Sequence, residues 1–276
     1  MKSKKVKVTV IVIAVLLIAV ITTATVLLGT YSESDHLVYS YLKSSGDVTV
    51  TQIKDGYFFD GPGEKNAIIF YPGAKVDTTA YAPLLYHIAE SGQDCFLVEM
   101  PFHIALFGKN RATEIMESYN YENWYLSGHS LGGAVSAMYV AENPGKVKGL
   151  IFLAAYSTKE LPSDLKILSI YGDKDGVLNR EKYEEGKRYW NENTVEVCIE
   201  GGNHAQFGNY GKQNKDGEAS ISWEEQQGKV VEAVSKFMEW SKSVDLSTLF
   251  NTISCCFLVG IPKNSNPKHK KCKKIP

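Results

Sequence analysis

The sequence predicts an α/β protein with a mostly parallel central sheet and helices on both of its faces. Between residues 45 and 243, short apolar runs alternate with amphipathic runs, the pattern of strands joined by covering helices. The 276 residues are 44% hydrophobic and 22% charged, as expected of a protein with a substantial core. Because the net charge is only -1, nothing in the overall balance would attract a phosphate backbone, and no nucleic-acid partner is predicted.

The individual elements follow in a regular order. Residues 48–53 alternate between apolar and polar and predict an edge strand, whereas the continuous apolar run at 67–71 predicts a buried parallel strand. Further strands are predicted at 95–99, 124–127, 149–154, 167–171 and 194–199. Helices are predicted at 79–90, 111–118, from the glycines after Ser130 to Glu142, at 180–190 and at 224–242.

The first 30 residues predict a membrane anchor. Four lysines (Lys2, Lys4, Lys5 and Lys7) precede residues 8–29, a run of 22 residues without a charge. A bilayer core requires about 20 helical residues, and a cleaved signal peptide has a shorter apolar stretch of about 7 to 15. An uncleaved transmembrane helix is therefore favoured, with a cleaved signal as the alternative. The lysines favour a cytoplasmic N-terminus in the cell membrane and an extracytoplasmic catalytic domain, secreted if the segment is cleaved.

The rest of the chain divides into a domain at residues 31–243 and a C-terminal basic tail at 244–276. The tail contains a lysine-rich run at 268–274, interpreted as a solvated segment, with attraction to anionic lipid as the alternative. The five cysteines have no spacing typical of a metal site. No metal and no cofactor are therefore predicted.

The sequence Gly128-His129-Ser130-Leu131-Gly132 has the pattern G-x-S-x-G. In this pattern a serine lies on a sharp turn between a strand and a helix, and the glycines relieve crowding of the backbone. The pentapeptide by itself is a weak signal, but here an apolar run precedes it and a helix-forming run follows it. We therefore predict Ser130 as a nucleophile.

A serine nucleophile requires a base and an acid that orients the base. His204 follows the predicted strand at 194–199 and is the favoured base, while His103 in a loop is a weaker candidate. His129 adjoins the nucleophile, but the turn is expected to direct it away from the base and leave it a supporting role. Asp175 is favoured as the acid over Asp173, which lies closer to its strand and is suited to capping the turn.

Acyl transfer also requires donors for the developing oxyanion. The backbone N–H of Leu131, directly after the nucleophile, is one predicted donor. The second is expected from the turn after residue 71, where Pro72 has no N–H to donate. Ala74 is the favoured donor there, and Gly73 is the alternative.

Only about a dozen residues separate the predicted strands at 149–154 and 167–171, too few for a helical cap. The site should therefore be shallow and open. Phe102 and Phe207 are predicted substrate-binding residues that favour an uncharged, partly apolar acyl or alcohol group. The alternative is that these rings pack beneath the sheet.

Four blocks of sequence resemble the small bacterial α/β-hydrolase family, whose members are dienelactone-hydrolase-like or esterase-like. They are Y-P-G-A-K-V-D at 71–77, M-P-F at 100–102, G-H-S-L-G-G at 128–133 and G-N-H-A-Q-F-G at 202–208. The resemblance implies an α/β-hydrolase fold, a triad of Ser130, Asp175 and His204, and metal-independent hydrolysis. It implies no substrate, because the fold serves many chemistries.

The predicted function is that of a membrane-anchored, extracytoplasmic serine hydrolase, a carboxylesterase that acts on a small-molecule ester or acyl substrate. The predicted partners are thus that substrate and the membrane, and the sequence leaves protein partners open. A catalytically silent binding module and an acyltransferase are the alternatives. The complete set of three residues argues against the first, and nothing in the residues separates the second from a hydrolase.

Overall fold

The computed structural model describes residues 2–240, and the predicted basic tail at 244–276 lies outside them. Within the described range, the strands are β1 (Thr49–Ile53), β2 (Gly56–Asp60), β3 (Asn66–Tyr71), β4 (Asp94–Val98), β5 (Asn123–His129), β6 (Gly149–Leu153), β7 (Lys166–Gly172) and β8 (Thr194–Ile199). The α-helices of the same range are α1 (Lys2–Gly29), α2 (Ala82–Glu90), α3 (Arg111–Ser118), α4 (Leu131–Glu142), α5 (Arg180–Gly186) and α6 (Trp223–Trp240).

One sheet contains all eight of these strands in the order β1-β2-β4-β3-β5-β6-β7-β8. Its six strands from β3 to β8 are mutually parallel, and β1 and β2 form an antiparallel hairpin whose second strand pairs antiparallel with β4. The predicted mostly parallel sheet is confirmed. Strand β2 was not predicted, because it is short and only partly buried and therefore lacks the long apolar run of the central strands.

The sheet separates two hydrophobic clusters. Alternate residues of β3 face opposite sides, so Ile68 and Phe70 belong to one cluster and Ile69 to the other. Helices α2 and α6 cover the first cluster, with Leu85 and Phe237 among the buried side chains. Helices α3 and α4 contribute to the second. Helices therefore cover both faces, as predicted.

Two predicted helices are shorter in the structure, and each is joined to a 3-10 turn. The segment predicted as a helix at 79–90 begins with a 3-10 turn at Thr78–Tyr81, and α2 then starts with Pro83 in its first turn. Proline fits there because the first N–H groups of a helix have no partner inside it. The predicted helix at 180–190 ends at Gly186 and continues as a 3-10 turn.

The segment between β6 and β7 is too short for a helical cap, as the sequence predicted, and it forms none in the structure. The residues between Leu153 and Lys166 form no helix or strand in the structure, so nothing inserted there covers the edge of the sheet. That edge carries the ends of β5, β7 and β8, where the predicted nucleophile, acid and base follow their strands.

The N-terminal segment is helical from Lys2 to Gly29. A search of the described residues finds no helix that is both long enough and apolar enough to cross a membrane. The predicted transmembrane helix is therefore unsupported by the structure.

Candidate active site

Ser130 lies at the turn between β5 and α4. Its φ of 52° and ψ of -120° place the residue in a backbone region that favours glycine, so the turn is strained. The Ser130 N–H donates to the carbonyl of Leu153 at 2.9 Å, and the Ser130 carbonyl accepts from the N–H of Ala134 at 3.1 Å. These bonds join the turn to β6 and to the first turn of α4. The half-buried side chain of Ser130 thus lies where the sequence predicted it.

The start of α4 touches the turn that follows β3. A Cβ at Gly132 would lie 2.1 Å from the carbonyl oxygen of Tyr71 and 2.4 Å from that of Pro72, so only glycine allows this approach. The contact brings the turn that holds Ala74 beside the beginning of the helix. Within residues 2–240, neither the Ala74 N–H nor the Leu131 N–H donates to a neighbouring loop or side chain. Both predicted oxyanion donors are therefore free.

Gly73, the alternative donor, is already engaged. Its N–H donates to the hydroxyl of Tyr81 at 3.0 Å. A donor that is satisfied inside the protein would have to break that bond to reach an oxyanion. The structure therefore favours Ala74 over Gly73.

His204 and Asp175 form a buried pair. The Nδ1 atom of His204 lies 2.8 Å from Oδ2 of Asp175, and the side chains are 1% and 0% exposed. The other carboxylate oxygen of Asp175 accepts from the N–H groups of Val177 at 2.8 Å and Leu178 at 2.7 Å. These two backbone donors fix the carboxylate in its plane. Asp175 therefore orients the imidazole as an acid behind a base should.

The second ring nitrogen of His204 is the one suited to act as a base. Because a carboxylate only accepts, Nδ1 of His204 donates the hydrogen to Asp175 and Nε2 carries the lone pair of the neutral ring. Nε2 is buried and has no hydrogen-bond partner among the described residues, Ser130 included. Hydrogen bonds between a catalytic serine and its base are often long without substrate and shorten in the reacting complex. In the neutral ring, the lone pair on Nε2 is therefore not used by any hydrogen bond within the described part of the chain.

The competing residues have other contacts. One oxygen of Asp173 accepts from the Gly201 N–H at 2.7 Å, and the other pairs with Lys174, so Asp173 caps a turn as predicted. The ring of His103 stacks on Tyr31 with the ring centroids 3.9 Å apart, and its Nδ1 is buried without a hydrogen-bond partner in the described part of the chain. In the described part of the chain, neither residue makes a hydrogen bond or a ring contact with His204.

His129 does not point away from the base, so that expectation is wrong. Its ring centroid lies 4.4 Å from that of His204. The reason is the alternation of side chains in β5, which puts His129 on the same face as Tyr125. That face also receives Ala205 from the loop that contains His204. His129 therefore supports the candidate base directly.

The two predicted substrate-binding rings have different environments. Phe207 is fully buried, with its ring 5.5 Å from His129, so it belongs to the core and its predicted place in the pocket wall is wrong. The short 3-10 turn at Ala205–Phe207 directs this ring inward. Phe102 is 54% exposed and packs against Phe107 at the surface. Only Phe102 remains available to a substrate.

Two polar residues that sequence reasoning missed hold the loops of the pair together. The Asp216 carboxylate accepts from the N–H groups of Gly176, His204 and Ala205 at 3.1, 3.2 and 2.8 Å. The buried amide of Gln226 accepts from the N–H of Asn203 at 2.9 Å and donates to its carbonyl at 2.8 Å. Asp216 lies in a segment without regular structure, and no local pattern marked it.

Burial lowers the pKa of His129 well below its ordinary value of 6.5, and the neighbouring His204 lowers it further. The backbone of His204 acts in the opposite direction, although no hydrogen bond of normal geometry reaches Nε2 of His129. His129 is therefore neutral in the folded protein at neutral pH.

This depressed pKa predicts a loss of stability in acid. As the pH falls below about 6.5, the imidazole of His129 binds a proton in the unfolded chain but stays neutral in the folded chain. The free energy of unfolding should decrease by up to about 1.4 kcal/mol per pH unit from His129 alone. Urea denaturation between pH 7.5 and 5.5 measures the slope. The variant His129→Asn should have a shallower slope, and equal slopes would contradict the assignment.

Among the described residues, no three or more His, Cys, Asp or Glu side chains lie close enough together to hold a metal ion. Two surface cavities within residues 2–240 lie away from Ser130. One is behind the loop that contains His204, and the other lies between α2 and α6. Neither is lined by Ser130 or His204.

Comparisons with known proteins agree with this architecture. The sequence profile of the alpha/beta hydrolase family matches residues 67–228, more than half of the chain. The crystal structure of TT1662 from Thermus thermophilus is similar in fold, with a TM-score of 0.53 and 13% sequence identity over 72% of this chain and 99% of that one. No match was found among the curated proteins. The matched segment contains Ser130, Asp175 and His204. Because the family profile covers more than half of the chain, the chain belongs to the alpha/beta hydrolase family.

Proposed function

We propose that the protein is a serine hydrolase that cleaves carboxylic esters through Ser130, His204 and Asp175. The observation that carries the proposal is the buried His204–Asp175 pair, whose remaining nitrogen is free on the sheet edge that also carries Ser130. A buried carboxylate that fixes an imidazole with an open lone pair is the arrangement needed to activate a serine.

In the proposed reaction, the Oγ atom of Ser130 bonds to the carbonyl carbon of the ester while His204 Nε2 takes the hydroxyl proton. The carbonyl π electrons move to the oxygen, and the N–H groups of Ala74 and Leu131 stabilise the oxyanion. When the oxyanion collapses, the alkoxide leaves and receives the proton from His204. Water then repeats the sequence on the acyl-enzyme and releases the acid.

The test is hydrolysis of a panel of p-nitrophenyl esters by the full chain, purified in a mild detergent, together with labelling by a fluorophosphonate. Turnover with one label per chain, located at Ser130, is expected. A folded sample that neither labels nor hydrolyses any ester would refute the proposal and favour the silent binding module. Adding an alcohol acceptor and analysing the products separates the hydrolase from an acyltransferase, since the latter would form a new ester.

We further propose that the substrate has an apolar part that contacts Phe102. Phe102, Leu106 and Phe107 are 54%, 52% and 57% exposed and lie together in the segment that follows β4. That segment is tied to the candidate oxyanion turn, because the His103 carbonyl accepts from the Lys75 N–H at 2.7 Å. An apolar surface next to the turn favours esters with an alkyl chain.

Replacing Phe102 by serine should therefore raise KM for an octanoate ester about five- to thirtyfold, with a much smaller effect on acetate. The magnitude corresponds to about 1–2 kcal/mol of lost apolar contact. Tyr39→Ser is the matched control, because Tyr39 is another exposed aromatic residue outside this segment. An equal change in KM for both esters would show that the Phe102 ring does not contact the alkyl chain of the substrate.

Membrane attachment and an extracytoplasmic site remain predictions based on the sequence alone. Fractionation of cells that express the full chain tests them. We expect the chain in the membrane pellet after carbonate extraction. We also expect the domain to be accessible to protease added outside the cell. Recovery of an uncleaved chain in the soluble fraction would contradict the anchor.

A further inference from the structure

The hydroxyl of Tyr81 joins the candidate oxyanion turn to the histidine beside the nucleophile. Tyr81 is the last residue of the 3-10 turn before α2 and is fully buried. Its Oη accepts from the Gly73 N–H at 3.0 Å and lies 2.8 Å from Nδ1 of His129. His129 in turn lies against His204. One hydroxyl thus connects both halves of the candidate site.

The direction of these bonds follows from counting donors. Burial raises the pKa of Tyr81, so its hydroxyl keeps its proton at neutral pH. If Nδ1 of His129 donated to Tyr81, the Tyr81 proton and the second ring nitrogen of His129 would both be left buried without partners. If Tyr81 donates to Nδ1, only the N–H at Nε2 is left over. The second arrangement costs less. Tyr81 therefore accepts from Gly73 and donates to a neutral His129.

The turn at Gly73 packs closely against this pair. A Cβ at Gly73 would lie 2.7 Å from the Tyr81 hydroxyl and 2.8 Å from Nδ1 of His129. On the other side of Ala74, the N–H of Lys75 is bonded to the His103 carbonyl at 2.7 Å. Ala74 is therefore held between two bonded N–H groups, and its own N–H is left free for a ligand.

We propose that Tyr81 and His129 are positioning residues for the hydrolysis: they fix the turn at residues 72–75 so that the Ala74 N–H faces the oxyanion. The inference rests on the proposed function and names two residues that touch neither the ester nor the water. Their effect is on the transition state, because the oxyanion is more strongly bound there than the carbonyl oxygen of the substrate.

The test is Tyr81→Phe, which keeps the ring and removes the hydroxyl. Loss of an oxyanion donor typically costs about a hundredfold or more, and a misplaced donor costs less. We expect kcat to fall about tenfold to a hundredfold while KM changes less than about threefold. The pH dependence of kcat/KM should keep its shape, because the free nitrogen of His204 is not altered.

A second pair of variants examines the histidine. His129→Leu removes the acceptor for Tyr81 and should lower kcat about as much as Tyr81→Phe. His129→Asn keeps an acceptor near the position of Nδ1 and should restore most of the activity. The double variant Tyr81→Phe/His129→Leu should be little worse than Tyr81→Phe alone, because His129 acts on the turn through the Tyr81 hydroxyl, which bonds both Gly73 and His129.

The control is Tyr139→Phe, which removes another buried tyrosine hydroxyl that is bonded to Thr113 at 2.7 Å on the opposite side of the sheet. It should lower the melting temperature while leaving kcat unchanged. If Tyr81→Phe behaves in the same way, Tyr81 has only a structural role and the proposal is overturned. A rise in KM at constant kcat would overturn it as well. Failure of the wild-type protein to hydrolyse any ester would instead refute the proposed function.

Discussion

Replacing Ser130 by alanine should reduce ester hydrolysis to the assay background and abolish fluorophosphonate labelling. The expected loss in kcat is about a millionfold, as is typical when the nucleophile of a triad is removed. The reason is that Oγ forms the acyl bond, and no other hydroxyl occupies the strained turn at φ 52°. Measurement of turnover with the most reactive p-nitrophenyl ester and mass spectrometry of the labelled chain check the result.

The substitution is informative because it should leave the fold intact. Alanine keeps the Cβ of Ser130, and the backbone bonds of the turn, to Leu153 and from Ala134, do not involve the side chain. Ser118→Ala is the matched control, since Ser118 is an exposed serine at the end of α3. It should have wild-type activity. Persistent turnover of Ser130→Ala with an unchanged burst of product would mean that another residue is the nucleophile.

The second large effect is expected for Asp175→Asn, which should lower kcat about ten-thousandfold. One oxygen of Asp175 accepts from two backbone N–H groups, so an asparagine would keep its carbonyl oxygen there. Its NH₂ group would then face Nδ1 of His204 and donate to it. The proton of the imidazole would have to move to Nε2, and the lone pair that should accept the Ser130 proton would be lost.

The acylation rate with p-nitrophenyl acetate in the first turnover is the measurement for Asp175→Asn. The matched control is Asp173→Asn, which alters a carboxylate two residues away that bonds Gly201 and Lys174. It should change the rate less than about tenfold. The opposite ranking of the two variants would transfer the role of the acid to Asp173.

The local sequence was sufficient for most of the sheet. The apolar runs that predicted buried strands became β3 to β8, because a strand that is covered on both faces must be apolar at nearly every position. The antiparallel strand β2 was missed because its residues face the core only in part, and its pairing with β4 is a long-range contact that no local pattern encodes.

The positions of Ser130, Asp175 and His204 could also be predicted from the sequence. Each follows a strand of a parallel sheet, and in such a sheet the carboxyl ends of the strands meet at one edge. This rule needs only the order of the elements. The sequence also favoured Asp175 over Asp173, and the structure adds the side-chain directions: Asp175 faces His204, whereas Asp173 bonds the Gly201 N–H.

Local sequence patterns were enough to predict the α/β architecture, the serine turn and the strand ends from which the candidate triad comes. Three contacts become visible only in the folded chain: His129 packs against His204, Phe207 is buried, and Asp216 joins the loops of the acid and the base. The same holds for Tyr81, whose hydroxyl reaches residues 8 and 48 positions away in the chain. Hydrophobic period and turn chemistry are properties of neighbouring residues, whereas these contacts depend on how distant loops meet once the sheet has formed.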